Sequence, residues 1–342
     1  MIHVHTVHSG DSSATLEHID SSALWGRAVF VIVTDHDTME MKDQEGWRGH
    51  YLLLVGEEVS PRRGDHYLAL RVREPIASSL GPQEVIDEVK RQGGLGFIEH
   101  PHFQGNLAFG ASESPWRDWS VKGFNGMSIF NFTTDWGVRL THFKFLLFRV
   151  FPFLAVDMPN PKTIQQWDLL NRERRVVGIG TMDAHRWVKR IRGKDVEAHP
   201  FRYCFRSVRT HVLLPSGFTG DVQRDAGMIY EALEQGRCYV ANDYLRDSQG
   251  FRFSTASGDP MGSVTTAPAR FEVTVPAWGR IRLLRDGLPI ATAWGRSLTF
   301  NAGEAGAYRV EVSTWHRYRL KPWVFSNPIY VRPRNFGDTP SS

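Results

Sequence analysis

The first two thirds of the chain alternate short apolar runs with stretches that have helical spacing. Residues 28–34 (AVFVIVT) form an unbroken run of β-branched and aromatic side chains, which is typical of a strand buried on both faces. Similar runs occupy residues 51–55, 66–72, 95–98, 126–130 and 176–179. Helical patterns cover residues 83–92 and 163–174. This alternation predicts an α/β fold with a parallel sheet or barrel.

The pattern changes between residues 242 and 262. Beyond that point the apolar positions alternate with period two, and turn signals such as Asp286-Gly287 and residues 303–306 separate the runs. No helical pattern fits this part of the chain, so it predicts a small all-β sandwich. We therefore expect three parts: a first domain over 1–245, a β-sandwich over 246–334 and a frayed tail over 335–342.

Composition excludes several classes of protein. With 41% hydrophobic and 23% charged residues, the 342-residue chain is neither disordered nor fibrous. The longest apolar stretch, residues 143–156, contains Lys144 and Arg149 and falls short of the roughly 20 residues that span a bilayer. Two cysteines cannot form a disulfide framework, and no secretory signal is visible. We expect a soluble, cytoplasmic protein without a membrane partner.

The net charge of +4 is a weak signal, but basic residues are dense locally. They cluster between residues 186 and 194 and again at Arg202, Arg206 and Arg209. No aromatic-interleaved basic repeat accompanies them, so we do not expect a nucleic-acid partner. A solvated loop or an approach path for an anionic small molecule explains the cluster better.

Four of the apolar runs are followed by His, Asp or Glu, the residue types that commonly bind metal ions. The four segments that follow them are Asp35-His36-Asp37, Gly56-Glu57-Glu58, Glu99-His100-Pro101-His102 and Thr181-Met182-Asp183-Ala184-His185. Barrel enzymes assemble their sites at the carboxyl ends of strands. His3 and His5 are two residues apart in an extended context, which places both rings on one side, and Asp11 lies in the next loop.

Each of these residues also has an ordinary structural explanation. A single histidine after a strand is often a hydrogen-bonded core residue, and Asp35, Asp37 or Asp183 would serve as a helix N-cap. The whole set is harder to explain in this way, because many buried polar groups at one end of a sheet are costly without a cation. The sequence therefore predicts a metal centre.

In their order and spacing, these motifs resemble the polymerase and histidinol phosphatase (PHP) superfamily over residues 1–245. The resemblance implies a distorted (β/α)7 barrel, here followed by the small sandwich, and hydrolysis of phosphate esters with two or three metal ions. The layout is also similar to the branch that includes carbaryl hydrolase. The shared features are His8-Ser9-Gly10-Asp11, Phe124-Asn125-Gly126 with Asn131, and Ser326-Asn327-Pro328-Ile329-Tyr330-Val331.

The resemblance also implies how the ligands divide among three ions. His3, His5, Glu58 and Asp183 would hold the first ion. Glu58 would bridge to a second ion, which His66 and His100 complete. Asp11, His36 and His185 would hold the third. Imidazole and carboxylate ligands of this kind accept zinc, manganese or iron.

The function that we expect is that of a metal-dependent phosphoesterase, in which a metal-activated hydroxide attacks a small, anionic ester. Asp37 and His102 are unassigned polar neighbours that would either protonate the leaving group or orient a ligand. Arg186, which follows the Asp-x-His motif, would contact a substrate phosphate or carboxylate, or else form a surface salt bridge.

Two other functions stay open. The segment from residue 103 to 153 holds thirteen Phe or Trp residues and starts beside His102, so part of it could line the site and accept a neutral aryl ester or carbamate. That is the alternative of a carbamate or carboxyl-ester hydrolase of the carbaryl-hydrolase type. A non-catalytic binding protein is the third reading, and the complete set of nine ligands argues against it. The oligomeric state is not predictable from these features.

Overall fold

The computed structural model describes residues 1–61, 64–151, 158–191, 193–197 and 200–333, so the predicted tail over 335–342 lies outside the described residues. The first sheet has eight strands. They are β1 (Ile2–Val4), β2 (Phe30–His36), β3 (Gly46–Arg48), β4 (Tyr51–Val59), β5 (Tyr67–Leu70), β6 (Leu95–Ile98), β7 (Gly126–Asn131) and β8 (Val177–Thr181). All of them except β3 are buried along almost their whole length, as the unbroken apolar runs predict.

The sheet has the order β1-β2-β4-β5-β6-β7-β8, and β3 pairs with β4. Its neighbours along this path are parallel except at β5, which is antiparallel to both β4 and β6. The prediction of a parallel sheet is therefore wrong for β5, because the chain turns back from β4 without a crossover helix. Backbone hydrogen bonds from Met182 N to Ile2 O (3.0 Å) and from Ala184 N to His3 O (3.1 Å) join the two ends of the curled sheet.

Seven α-helices occur in the described residues. They are α1 (Leu16–Gly26), α2 (Pro82–Arg91), α3 (Phe132–Gly137), α4 (His142–Val150), α5 (Pro161–Glu173), α6 (Phe201–Cys204) and α7 (Val222–Gln235). The helices predicted at 83–92 and 163–174 are confirmed as α2 and α5. Proline stands at the first position of both helices, where its missing N–H costs nothing. No α-helix separates β2 from β4 or β4 from β5, so the strict alternation of a (β/α)7 barrel is not observed here.

A two-stranded ribbon, β9 (Val188–Ile191) with β10 (Lys194–Glu197), precedes the second sheet. The second sheet has nine strands. They are β11 (Val208–Val212), β12 (Cys238–Asn242), β13 (Arg252–Thr255), β14 (Val264–Thr266), β15 (Ala269–Arg285), β16 (Leu288–Ala302), β17 (Gly306–His316), β18 (Arg319–Ser326) and β19 (Ile329–Arg332). The turn predicted at Asp286-Gly287 is confirmed between β15 and β16. The described chain from residue 243 to 333 contains no helix, as expected.

The long strand β15 connects the two halves of the second sheet. Its first half pairs with β13 and its second half with β17, while β16 runs beside both halves. Side chains from both halves, among them Phe271 and Ile281, belong to one apolar core. The all-β character of this part is therefore as predicted, with a core enclosed by one continuous, folded sheet.

The second sheet begins before the predicted division at residue 245. β11 and β12 belong to it, and β12 pairs with β18 through Val240 and Phe325. The assignment of domains 1–245 and 246–334 stays a prediction, but the hydrogen-bonded sheet extends across that division. The Asn327 side chain further connects the two sheets, because it accepts from Gly178 N (2.7 Å) and donates to Gly178 O (2.9 Å).

Two negative expectations concern the cysteines and membranes. Cys204 and Cys238 are buried and unbridged, and burial raises the pKa of both thiols, so neither is prepared as a nucleophile. Within the described ranges, no helix has the length and apolar character needed to cross a bilayer.

Candidate metal centre

The carboxylate of Glu58, near the end of β4, lies between two groups of histidines. Its Oε2 atom is 3.2 Å from His3 Nε2 and 3.4 Å from His5 Nε2. Its Oε1 atom is 2.9 Å from His66 Nδ1 and 3.3 Å from His100 Nε2. Glu58 is buried, and its Oε2 atom also lies 3.0 Å from His36 Nδ1, so its two oxygens face separate groups of three and two imidazoles. A buried carboxylate placed between two groups of imidazoles is compatible with metal binding.

Asp183 follows β8 and faces the first of these two groups. Its Oδ1 atom lies 3.6 Å from His3 Nε2 and 3.5 Å from His5 Nε2. The same oxygen is 3.3 Å from Nδ1 of His185. Asp183 and Glu58 thus bring carboxylate oxygens to the same two imidazole nitrogens, as the sequence motifs predict.

Asp11 forms the outer part of the centre. Its Oδ2 atom is 3.0 Å from His185 Nε2 and 3.3 Å from His36 Nε2. Asp11 is 46% exposed, whereas most of the other clustered side chains are buried. The structure therefore brings all nine predicted ligands together. Seven of the nine form three overlapping groups in which the ligand atoms lie within 4.8 Å of one another: His5, Asp11, His36 and His185; His3, His5 and Glu58; and His36, Glu58 and His66.

Unusual backbone conformations place several of these side chains. The register between β1 and β2 shifts between Ile2 and Val4, and His3 has φ +75°. A bulge, and not the simple strand alternation that we predicted, therefore lets His3 and His5 reach the same carboxylate. His100 and Asp183 also have positive φ, at +26° and +51°. Such conformations cost non-glycine residues about 1–3 kcal/mol each and are found mainly at functional sites.

The electrostatics of the cluster are dominated by imidazole–carboxylate pairs. Burial raises the pKa of Glu58 and of Asp183, but the neighbouring imidazoles outweigh it and hold both well below the usual range. Burial lowers the pKa of His36, yet Glu58 and Asp11 together raise it to about 11. For His5, burial and the adjacent His185 lower the pKa to about 3. Neighbouring imidazoles whose pKa values are shifted in opposite directions identify this cluster as a candidate functional site.

The donor set fits divalent metal ions. His5 Nε2 and His185 Nε2 are buried and have no hydrogen-bond partner among the described residues, although carboxylate oxygens lie 3.0–3.5 Å away. Buried ring nitrogens normally have a hydrogen-bond partner, so each of these nitrogens is available as a ligand to a metal ion. Imidazole and carboxylate donors suit zinc, manganese and iron. The clustered His, Asp and Glu side chains are thus compatible with metal binding.

The three residues predicted to act in catalysis lie outside the cluster. Asp37 Oδ1 accepts from Ser60 N (2.8 Å), and His102 Nδ1 is 3.1 Å from the Thr163 hydroxyl. Arg186 donates to Glu197 Oε1 (2.8 Å). In the described part of the chain, none of these three side chains forms a hydrogen bond or ion pair with the nine clustered side chains.

Among the described residues, five of the thirteen aromatic side chains that follow His102 are buried, whereas Phe143 and Phe151 are exposed. The buried side chains are Trp116, Phe124, Phe130, Phe132 and Trp136. Phe153 lies outside the described residues. Two rings do flank the cluster: Phe103 lies 5.8 Å from the His100 ring, and Trp187 stacks on His185 at 5.2 Å. Trp187, which is 37% exposed, was not identified from the sequence.

Sequence reasoning also left out a set of polar residues behind the cluster. Glu99 Oε1 accepts from the Thr181 hydroxyl (2.7 Å) and from Asn131 Nδ2 (2.8 Å). The same Asn131 nitrogen lies 3.4 Å from Asp183 Oδ2. Glu99 had a visible signal, since it stands directly before His100 at the end of a strand. Asn131 stood out only as part of the segment shared with the carbaryl-hydrolase branch, and Thr181 only as the start of the segment with Asp183 and His185, so neither received a role.

No family model matches the chain. A stretch of 115 residues is 30% identical to an uncharacterised protein of Methanocaldococcus jannaschii; it covers 30% of this chain and 66% of that protein, just under two thirds of its length. A two-domain protein from Bacteroides vulgatus ATCC 8482, containing a predicted PHP-like metal-dependent phosphoesterase, is similar over 96% of this chain and 94% of its own, at 14% identity and TM-score 0.47. PsfC from Pseudomonas syringae PB-5123 is similar over 68% of this chain and 88% of its own, at 8% identity and TM-score 0.41.

Proposed function

We propose that this protein is a metal-dependent hydrolase of the PHP superfamily that cleaves phosphate esters. The observation that carries the proposal is the position of Glu58, whose two oxygens face separate groups of three and two imidazoles at 2.9–3.4 Å. The order of the motifs that supply the other ligands supports the same family. Zinc, manganese or iron would occupy two or three positions around this carboxylate.

Bound ions of this kind supply Lewis acidity and lower the pKa of a coordinated water to about 7. The chain supplies the geometry. His3, His5, Glu58 and Asp183 would hold the first position, and Glu58 with His66 and His100 would hold the second. These ligands come from five separate strand ends, so the folded sheet itself fixes their spacing.

The charge of the ligand set favours an anionic substrate. Six of the nine clustered side chains are imidazoles and only three are carboxylates. Three divalent ions would carry twice the charge that three carboxylates neutralise, and the surplus attracts a phosphate group. Asp11 and His36 are the most exposed members, so we place the substrate on their side of the cluster.

The leaving oxygen needs a proton, and Asp37 or His102 is our candidate donor. Asp37 is exposed next to His36 at the end of β2, while His102 is held by Thr163 and stacks on Trp119. Arg186 is already paired with Glu197, which favours its alternative role as a structural ion pair.

A neutral aryl ester or carbamate is the second candidate substrate. Phe103 and Trp187 favour it, because they place apolar ring surface beside His100 and His185. Burial of a substrate ring there contributes about 25 cal/mol per Å² of apolar area. The same rings would improve the binding of an aryl phosphate, so a direct comparison of substrates is required.

Two measurements test the proposal. Elemental analysis of protein expressed with added metal should give two or three ions per chain, and less than one would contradict the metal centre. The kcat/KM values for 4-nitrophenyl phosphate and bis(4-nitrophenyl) phosphate should exceed the value for 1-naphthyl N-methylcarbamate. If the carbamate is at least tenfold better than both, about 1.4 kcal/mol of transition-state stabilisation favours the second candidate.

A further inference from the structure

Glu99 is a buried carboxylate next to the cluster that the proposed reaction does not use. Its side chain is fully buried, and its Oε2 atom has no hydrogen-bond partner among the described residues. Nδ1 of His3 is likewise buried without a partner, and it lies 3.6 Å from Glu99 Oε1. A carboxylate and a ring nitrogen, each incompletely satisfied, thus lie beside each other at the back of the centre.

The other nitrogen of His3 faces the opposite way. Nε2 lies 3.2 Å from Glu58 Oε2 and 3.6 Å from Asp183 Oδ1, among the atoms that would surround an ion. To bind an ion there, Nε2 must present its lone pair, so the ring proton must reside on Nδ1. A histidine that binds metal commonly donates this proton to a carboxylate behind it.

We propose that Glu99 is a positioning residue, which keeps the His3 proton on Nδ1 and so directs the Nε2 lone pair into the metal centre. The inference rests on the proposed metal-dependent function. It goes beyond it by assigning a role to a residue outside the nine ligands.

The surroundings of Glu99 hold its carboxylate in one orientation. Asn131 Oδ1 accepts from Thr134 N at the start of α3 (2.9 Å), which fixes the amide so that Nδ2 points to Glu99. The Thr181 hydroxyl donates to the same oxygen, and the Ser128 hydroxyl lies 2.7 Å from Thr181 Oγ1. Glu99 is therefore attached to β7 and β8 and cannot turn away from His3.

This arrangement makes Glu99→Gln an informative variant. Asn131 Nδ2 can only donate, so the glutamine oxygen must take the position of Oε1 and keep both hydrogen bonds. The substitution then keeps an acceptor oxygen beside His3 Nδ1 and the size of the side chain, but it removes the negative charge that favours the proton on Nδ1 and makes Nε2 a stronger metal ligand. Glu57→Gln is the matched control, because Glu57 is equally buried, accepts from Ile76 N and leaves one oxygen unpartnered. Both variants are measured at pH 8, above the pKa of about 7 to which burial raises the Glu57 carboxyl.

The experiment measures zinc affinity by competition with a chromogenic chelator, using the native protein and both variants. Glu99→Gln should weaken binding at least tenfold, within the 10–100-fold range for residues that orient ligands, while Glu57→Gln should leave it unchanged. Equal affinities for native protein and Glu99→Gln would overturn the inference, as would equal losses in both variants. A native protein that binds none of zinc, manganese and iron would overturn the proposed function as well, so the two failures are distinguishable.

Unfolding of the metal-free proteins shows whether Glu99→Gln still folds. If it does not, long-range proton–nitrogen NMR of the zinc-loaded native protein decides, with the His3 signal identified by its absence in His3→Gln. A proton on Nδ1 of His3 supports the role of Glu99, and a proton on Nε2 overturns it.

Discussion

Left-handed backbone at His3, His100 and Asp183 shows how individual residues build the centre. Positive φ at a non-glycine residue costs free energy, and here all three residues contribute a clustered side chain. The packed strands around them supply the stability that keeps these conformations populated. Substitution at these positions therefore changes a ligand and a strained backbone together.

The ligands should differ in importance according to their burial. His5→Ala and Asp183→Ala each remove a buried group of the proposed first site, so we expect at least about a hundredfold loss of kcat/KM. His36→Ala should cost less, because His36 is 24% exposed and water can replace its ring. Steady-state kinetics with 4-nitrophenyl phosphate measure this, and equal losses at His5 and His36 would contradict the division of roles.

Asp135, at the start of α3, should make stability depend on pH. Burial raises its pKa to about 7, above the value of roughly 3.9 for an unfolded chain. The folded state thus binds the proton more tightly, and this contribution to stability is lost as the pH rises toward and through 7. Asp135→Asn has no carboxyl group to deprotonate, so it does not lose stability in this way as the pH rises. The Tm of the variant minus the Tm of the native protein should therefore be larger at pH 8 than at pH 5. A difference that does not change with pH would refute this explanation.

At the residue scale, the nine side chains that the structure brings together were predictable, and the roles of the polar residues behind them were not. The histidines and carboxylates that follow Thr34, Gly56 and Ile98 stand out, because such groups rarely follow several buried strands of one chain. Asn131 and Thr181 become recognisable only when β7 and β8 lie side by side. Their role depends on the register of the strands, which the sequence does not determine.

Among the secondary-structure elements, apolar runs predicted the strands well and their directions less well. The strand at 66–72 was expected and appears as β5, but its antiparallel direction depends on the short connection from β4. β16 was not predicted as a strand, because its side chains are mostly exposed and show no clear alternation. Pairing with β15 along almost its full length holds it in the sheet.

Two glycine substitutions test the packing of single elements. A Cβ on Gly96 of β6 would meet the Tyr67 ring of β5 within 2.3 Å, so Gly96→Ala should destabilise the fold by about 1–3 kcal/mol. Gly227, in α7, has nothing within 4 Å of its Cβ position, so Gly227→Ala should stabilise by about 0.5–1 kcal/mol. Urea unfolding measures both, and the same sign for the two variants would contradict this account.

At the scale of the whole molecule, a buried ion pair connects helix α5 to the second sheet. Arg309 of β17 donates to both carboxylate oxygens of Asp168 in α5, at 2.5 and 2.7 Å. Asp168→Ala would remove two hydrogen bonds to the buried guanidinium but leave its pair with Glu311 (2.7 Å), and we expect a loss of about 1–3 kcal/mol in the free energy of unfolding. Glu74→Ala breaks the exposed pair with Arg91 and should cost less than about 0.5 kcal/mol. Comparable losses in the two variants would show that the buried pair contributes little.

The extent of the second sheet was the largest feature that the sequence left undetermined. Its turns and alternation predicted an all-β region after residue 245, whereas β11 and β12 belong to the same sheet and precede that point. α7 lies between β11 and β12 in the chain, so the local sequence has the strand–helix–strand pattern of the α/β region. Only the distant pairing of β12 with β18 assigns them to the second sheet.

That pairing has a consequence for how the chain is made on the ribosome. β12 pairs with β18, and Gly178 is hydrogen-bonded to Asn327. Both partners are synthesised long after residue 185, the last histidine of the centre. At about 5–20 residues per second, roughly 7–30 seconds separate the synthesis of that histidine from that of Asn327. β12 ends at residue 242 and β18 at residue 326, so for about 4–17 seconds of this interval β12 presents an unpaired edge, which is a template for association with other chains. The speed of translation therefore influences how many nascent chains reach the folded state before they aggregate.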